Sequence, residues 1–173
     1  MRNNYLIPAL VLYFLGSSII VLFSILTLVG EDEKAGLVLL FTLPILVIDI
    51  VFWSILHYSC WQAIPEKYRA TTPGKAVGFL FVPLFNLYWA FISFPSLVIG
   101  LQRAEKKRNI VNKNHNSYKL GVAYAILFVL RWLLVFLPIS ILDIVVDILD
   151  VVVYMLFYIS INSYVKTIEK NYR

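Results

Sequence analysis

The sequence predicts an all-α integral membrane protein of one domain, with four transmembrane helices and a re-entrant helical hairpin over residues 76–101. Of its 173 residues, 61% are hydrophobic and 14% are charged, and the mean hydropathy is +0.82. A soluble domain is closer to half apolar and a quarter charged. Several apolar stretches also reach the length of about 20 residues that a helix needs to cross the hydrocarbon core. The positions of Lys and Arg then set the number of crossings.

Four stretches qualify as complete spans, at residues 5–29, 36–58, 121–137 and 144–165. The first has no small-residue cleavage site before the acidic turn that follows it, so we interpret it as a retained span and not a signal peptide. The second helix can continue to Ile64, because Pro65 disfavours helical geometry in the residue before it. The third span ends near Pro138. Residues 102–119 form the long polar loop.

The fifth apolar stretch, residues 76–101, either enters and leaves on one side or crosses as a kinked fifth span. A re-entrant path places thirteen Lys and Arg on one side and only Lys34 on the other, with Arg131 inside the membrane. A fifth crossing gives ten against four. The positive-inside rule favours the re-entrant path, with both termini cytoplasmic. The predicted hairpin tip holds Pro83, Asn86 and Trp89, with the turn at residues 83–86, about 15 Å deep if residues 73–83 are helical.

A motif string lies around this hairpin. It reads WQAIP at residues 61–65, TTPGKAVG at residues 71–78 and FVPLFNLYW at residues 81–89. The string resembles the core of a family of uncharacterised bacterial polytopic membrane proteins, in which a PG-x-AVG stretch precedes a P-x-x-NL(Y)W stretch. The resemblance covers about a quarter of the chain. It implies a multi-pass protein of the bacterial cytoplasmic (inner) membrane, and it implies no activity.

Arg131 is a charged residue in the middle of a predicted span. A central Arg costs about 2.5–3.5 kcal/mol on insertion scales, so we expect it to face the bundle interior beside an acidic partner. Asp49 lies mid-way along the second span. Asp147 is as far beyond the turn at residue 139 as Arg131 is before it, and Asp150 is one helical turn deeper. The four residues form either a functional polar site, such as an ion path, or ion pairs that fix helix register.

Two other polar patterns lie on helix faces. On the last span, five residues share one stripe, at which the carboxylates either attract cations or pair with Arg131: Asp143, Asp147, Asp150, Tyr154 and Tyr158. The Asn86 side chain either satisfies backbone groups freed at the hairpin turn or contacts a ligand. Gly74 and Gly78 have the G-x-x-x-G spacing that permits close helix packing.

The sequence gives no sign of a metal site, a cofactor or an enzyme. His57 and Cys60 share a helix face, but two ligands are too few for zinc, and we expect His57 to belong to the interfacial aromatic belt. None of the common hydrolase, metalloprotease or phosphate-binding motifs is present.

A basic cluster follows the hairpin, and we expect it to contact anionic lipid headgroups on the cytoplasmic side: Arg103, Lys106, Lys107 and Arg108. Nucleic acid is not an expected partner, since no aromatic residues interleave with these charges. The expected partners are the lipid bilayer and either a second copy or another membrane protein. Two functions follow. The first is a non-enzymatic scaffold or partner-binding subunit. The second is a small oligomeric channel or transporter that uses the Asp and Arg cluster.

Overall fold

The computed structural model of the chain describes residues 6–28, 30, 32–106, 117–134 and 141–170. Within these ranges the structure is helical and contains no strand. Its helices are α1 (Leu6–Leu28), α2 (Asp32–Ala63), α3 (Pro73–Gly78), α4 (Phe85–Lys106), α5 (Ser117–Leu134) and α6 (Ile141–Lys170), with short 3₁₀ turns at Glu66–Tyr68 and Phe79–Phe81.

Four of the described helices are long and apolar enough to cross a membrane, which confirms the all-α, multi-pass fold class. They contain the stretches Pro44–Ala63, Phe85–Lys106, Ser117–Leu134 and Ile141–Ile168. Three of these overlap predicted spans, and α1 covers the remaining predicted span with a shorter apolar stretch, Val11–Thr27. The fourth long helix, α4, lies in the stretch predicted to be re-entrant. It also continues to Lys106, and α5 begins at Ser117, so residues 102–106 and 117–119 of the predicted polar loop are helical.

Helices α2 and α4 run in the same direction. The His57 Nε2 atom lies 2.8 Å from the Ser93 Oγ atom. Seven residues further along both helices, a Cβ added to Gly100 would lie 2.9 Å from the Ile64 Cδ1 atom. The chain therefore leaves α2 at Ile64, turns, and passes beside Ile64 again at Gly100 of α4. We call residues 73–106 the hairpin, and we call the end of the bundle that holds Ile64, Gly100 and Ser117 the Ile64 end.

The first leg of the hairpin runs back along α2. Thr72 caps α3, because its hydroxyl oxygen accepts a hydrogen bond from the Lys75 amide, and Pro73 occupies the first turn. The Phe81 ring then packs edge-on against Trp53, with 6.1 Å between ring centroids. In the connection before the hairpin, the Arg69 guanidinium donates to the carbonyls of Gln62 and Ile64 and so satisfies the last turn of α2.

The chain turns at residues 82–85, one residue before the predicted turn at residues 83–86. The Val82 carbonyl accepts from the Asn86 amide, at 2.9 Å, and the Pro83 carbonyl from the Phe85 amide, at 2.7 Å. Leu84 adopts φ +63°, a left-handed conformation that costs a non-glycine residue about 1–2 kcal/mol. Its side chain is 82% exposed. The carbonyl groups of the turn thus accept hydrogen bonds from nearby backbone amides, and an exposed apolar side chain lies at its tip.

The other helices pack antiparallel to their neighbours in sequence. Ser117 meets Ser160 near the Ile64 end, while Arg131 meets Asp147 near the opposite end of α5. In α1, Gly16 faces Leu46 of α2. The α1 start, the ends of α2, α4 and α6, and the α5 start therefore all lie at the Ile64 end. The core between α2, α4, α5 and α6 is largely aromatic, with fully buried side chains that include Trp61, Phe94, Tyr124, Phe157 and Tyr158.

Gly100 and Gly121 permit the close approach of neighbouring segments, and they are not the predicted pair, Gly74 and Gly78. A Cβ added to Gly74 or Gly78 would meet nothing within 4 Å, so the G-x-x-x-G prediction is wrong. A Cβ on Gly121 would instead lie 3.2 Å from the Phe157 ring and 3.3 Å from the Phe94 carbonyl oxygen. Gly121 therefore marks the place where α4, α5 and α6 come together.

Candidate functional site

Arg131 joins three helices through buried polar contacts. Its Nε atom lies 3.1 Å from Asp147 Oδ1, and its Nη1 atom lies 3.0 Å from Asp150 Oδ2. The same Nη1 group donates to the Tyr13 hydroxyl of α1 at 3.3 Å, and that hydroxyl in turn donates to Asp150. Of the two partner positions that the sequence left open, the last span supplies the ion pairs.

Asp49 lies at the same level but is not one of these ion-pair partners. Its Oδ1 atom is buried and has no hydrogen-bond partner. The register of α2 and α6 fixes the level, because Asp49 and Asp150 each precede by eight residues a member of the His57–Tyr158 hydrogen bond.

Asn86 follows the hairpin turn and is the least satisfied polar side chain of this level. It is 1% exposed, and both its Oδ1 and its Nδ2 atoms lack a hydrogen-bond partner. Of the two roles left open for Asn86, the first has no hydrogen bond to support it among the described residues, where the turn carbonyls bond backbone amides. Asn86 precedes Ser93 by seven residues, two helical turns, so it shares the helix face that meets α2. Its position along α4 therefore corresponds to residue 50 of α2, next to Asp49.

Four other buried polar atoms of the described residues lack a partner. Asp150 Oδ1 and the Tyr154 hydroxyl lie on α6 at or within one turn of this level, whereas the indole nitrogens of Trp53 and Trp61 lie further along α2. Tyr154 lies one helical turn beyond Asp150 on α6, and its ring stacks on Tyr13 of α1. We call Asp49, Asn86, Asp150 and Tyr154 the mid-level site. Unpaired buried polar atoms each cost about 1–3 kcal/mol, so four such residues at one level require an explanation.

The remaining hairpin-tip residues bind the two legs together. The Trp89 indole N–H donates to the Ala76 carbonyl at 3.2 Å, and the Ser93 hydroxyl donates to the same carbonyl at 3.1 Å. Trp89 also packs against the rings of Phe79 and Phe85. Pro83 forms part of the turn itself. The hairpin is thus closed half-way along its legs, one to two helical turns above Asn86.

His57 links the hairpin to α6, and the sequence did not predict this. The Ser93 hydroxyl has one proton, which it donates to Ala76, so it accepts from His57 Nε2–H. His57 Nδ1 then accepts from the Tyr158 hydroxyl at 2.8 Å. His57 is fully buried, so its assignment to an interfacial aromatic belt is wrong. Its spacing from Ser93, 36 residues away, carries no sequence signal.

The tyrosines of the α6 stripe face the bundle interior. Tyr154 stacks on Tyr13 of α1 with 3.8 Å between ring centroids, and Tyr158 lies 4.8 Å from Tyr154. Asp147 pairs with Arg131, as one of the two interpretations of the stripe had it. In the part of the chain that the structure describes, no group of three His, Cys, Asp or Glu side chains is arranged to hold a metal ion.

The predicted headgroup cluster is described in part. Arg103 and Lys106 are exposed on the last turns of α4, at the Ile64 end. Lys107 and Arg108 lie outside the described residues. Their place in the cluster stays a prediction.

Comparison with known proteins adds no relative. No family model, no curated protein and no solved structure matches the chain. The resemblance of residues 61–89 to a bacterial membrane family therefore stays a prediction, and the function has to be argued from the site.

Proposed function

We propose that this chain is a small solute-binding membrane protein of the channel or transporter type, whose site lies at mid-depth at the tip of a re-entrant hairpin. The observation that carries the proposal is Asn86, an amide that is almost fully buried and has no partner for either of its polar atoms. A side chain that served only to hold the fold would have its hydrogen bonds satisfied. A ligand of the mid-level site supplies the missing partners.

The path of the hairpin along the bundle supports the same proposal. The chain leaves α2 at Ile64 and returns beside Ile64 at Gly100, so the hairpin begins and ends on one side of the bundle. Its turn reaches the level of Asp49, about 21 Å from the end of α2 at a rise of 1.5 Å per residue. Interrupted helices that meet polar groups at mid-depth are a common way to build solute sites in transporters.

The positive charges support an orientation. Most of the Lys and Arg residues that the structure describes lie near the Ile64 end, among them Lys67, Arg69 and Lys106, and positive charge concentrates on the cytoplasmic side. We propose that this end is cytoplasmic in a bacterial inner membrane, with Arg103 and Lys106 towards anionic headgroups. A scaffold or partner-binding subunit, which the sequence also suggested, gives no reason for unpaired atoms at the mid-level site. We propose no enzymatic activity.

Single cysteines, introduced one at a time in a Cys60→Ala background, test the re-entrant path. With Glu66→Cys or Lys106→Cys, an impermeant thiol reagent should label only after intact cells are permeabilised, because both positions flank the hairpin on the cytoplasmic side. With Asp32→Cys, at the start of α2, the reagent should label intact cells. Labelling of Glu66→Cys and Lys106→Cys from opposite sides would establish the kinked fifth span instead.

Asn86→Leu tests whether the mid-level site has a structural or a functional role. The substitution removes two unpaired polar atoms, so it should raise the free energy of unfolding by about 1–3 kcal/mol in choline chloride buffer. In proteoliposomes tested with gradients of H⁺, Na⁺ and K⁺, it should lower solute flux by about tenfold, the equivalent of one lost contact of about 1.4 kcal/mol.

The matched control is Tyr88→Leu, on the exposed face of α4 two residues away. This variant should keep the wild-type flux. If Asn86→Leu unfolds more easily than the wild type and carries flux equally well, Asn86 is structural and the proposed function fails.

A further inference from the structure

The hairpin turn exposes a group of apolar side chains. Leu84 is 82% exposed. The side chains around it are exposed as well, and they are those of Phe81, Val82, Pro83 and Phe85. The group precedes Asn86, whose level on α2 is about 21 Å from Ile64 at a rise of 1.5 Å per residue. In the re-entrant placement, this depth lies inside a hydrocarbon core about 30 Å thick. We call residues 81–85 the apolar turn.

Part of the backbone of the apolar turn has no hydrogen-bond partner. The carbonyls of Val82, Pro83 and Leu84 accept hydrogen bonds from amides later in the chain. Among the described residues, however, no backbone carbonyl accepts from the Leu84 amide, and no backbone amide donates to the Phe81 carbonyl. One donor and one acceptor therefore remain at the turn. Each needs a partner from outside the chain, because an unpaired backbone group in hydrocarbon is costly.

Neither lipid nor water is a suitable cover for this segment. Acyl chains offer no hydrogen-bond partner, and irregular backbone in the hydrocarbon region occurs only where protein or a water-filled cavity surrounds it. A water-filled cavity at the turn would have to hydrate the exposed side chains of Phe81, Leu84 and Phe85, which are entirely hydrocarbon. The cover that satisfies both the side chains and the backbone is therefore another protein surface.

A second copy of this chain has the properties that this cover requires. The apolar turn lacks a partner for one donor and for one acceptor, so the Leu84 amide of each copy matches the Phe81 carbonyl of the other. A twofold contact needs a surface that is complementary to itself in this way. Residues 76–102 include no Asp, Glu, Lys or Arg. Two hairpins that meet at their turns therefore place no like charges opposite each other.

We propose that two copies of this chain form a twofold-symmetric dimer within the membrane, in which their apolar turns pack against each other. The side chains of the turn, above all Leu84, keep acyl chains away from its backbone. The second copy supplies the partners of the Leu84 amide and the Phe81 carbonyl. The inference rests on the re-entrant placement in the proposed function and adds the partner of the hairpin.

Disulfide crosslinking in native membranes tests this contact. With Leu84→Cys in a Cys60→Ala background, oxidation with copper phenanthroline should produce a covalent dimer, because a twofold contact at the turn brings the two Leu84 positions within reach of a disulfide. The matched control is Leu149→Cys, which is exposed on α6 next to Asp150. This variant should remain monomeric on the same treatment.

Leu84→Gly separates the contact from the fold. Glycine adopts φ +63° without strain, so this variant should keep the helix content and the melting temperature of the monomer. The loss of the Leu84 side chain should raise the dissociation constant of the dimer at least tenfold, as measured by sedimentation equilibrium of the purified full-length protein in detergent micelles. Leu149→Ala should dissociate as the wild type does.

Three results would overturn the inference. They are a wild-type chain that sediments as a monomer, a dimer that Leu84→Gly leaves unchanged, and a crosslink from Leu84→Cys to a different membrane protein. If one of these is found while Glu66→Cys and Lys106→Cys label from the same side, the re-entrant placement stands and only the dimer is wrong. If the two positions label from opposite sides, the placement and the inference fail together.

Discussion

Arg131→Ala is expected to lower the free energy of unfolding by about 3 kcal/mol. Removing one partner of a buried ion pair typically costs about 3–5 kcal/mol, because it leaves the other charge uncompensated. Here two carboxylates, Asp147 and Asp150, and the Tyr13 hydroxyl lose a partner together. The Arg131 side chain is 27% exposed, which favours the lower end of that range. Reversible denaturation in detergent micelles or bicelles measures the change.

Two further variants separate the ion pairs from the lost volume. Arg131→Ala combined with Asp147→Asn and Asp150→Asn should regain most of the loss, because no charge is then left unpaired. Arg131→Lys should be intermediate, since one ammonium group cannot reproduce contacts that leave the guanidinium from its Nε and Nη1 atoms. Arg103→Ala, on an exposed turn of α4, should change stability by less than about 0.5 kcal/mol. Equal stability of Arg131→Ala and wild type would show that the ion pairs contribute nothing.

Arg131 therefore serves poorly to distinguish a scaffold from a transporter. Arg131→Ala would greatly lower the stability of a scaffold and of a transporter alike, and a fall in flux would follow from misfolding alone. Asn86 separates them better, because its side chain has no partner within the protein and its removal should leave the fold intact. The decisive experiment is therefore the substitution of Asn86, and not that of Arg131.

The course of the chain through the bundle could largely be predicted from the sequence. Apolar length alone placed the helices, because each must cover a fixed hydrocarbon thickness. The turn at Pro83 followed from the effect of proline on helical geometry. Asp147 was found because the turn before α6 sets two antiparallel helices level, so equal distances along the chain become contacts.

The contacts between distant helices could not be predicted. His57 meets Ser93 only because the hairpin brings α4 back parallel to α2, and no sequence pattern reports that pairing. The same holds for glycines. Gly74 and Gly78 have a familiar spacing yet face open space, while Gly100 approaches the connection after α2 and Gly121 approaches α4 and α6. Local spacing reveals a helix face, but not what that face meets.

The two halves of the hairpin are held differently. Towards the Ile64 end, Trp89 and Ser93 both donate to the Ala76 carbonyl and join the legs, while His57 links Ser93 to Tyr158 of α6. At the turn, Asn86 lacks any such bond and Leu84 carries backbone strain. The side-chain hydrogen bonds of the hairpin therefore join its legs, whereas the side chain next to its turn makes none.

Gly121→Leu is expected to lower the free energy of unfolding by about 1–3 kcal/mol, the usual cost of overpacking. The added side chain must displace the Phe157 ring and the α4 backbone at Phe94, which lie 3.2 and 3.3 Å from the Cβ position. A ring can rotate, but a helix backbone can move only with its whole helix. The separation of α4 from α5 and α6 should therefore increase.

Gly78→Leu is the matched control, since Gly78 is also helical and a Cβ there meets nothing within 4 Å. Both substitutions raise helix propensity by a similar amount, up to about 1 kcal/mol, so the difference between the two variants isolates helix packing. We expect Gly78→Leu to match or exceed the wild type in denaturation. Equal stability of the two leucine variants would mean that α4, α5 and α6 are not closely packed at Gly121.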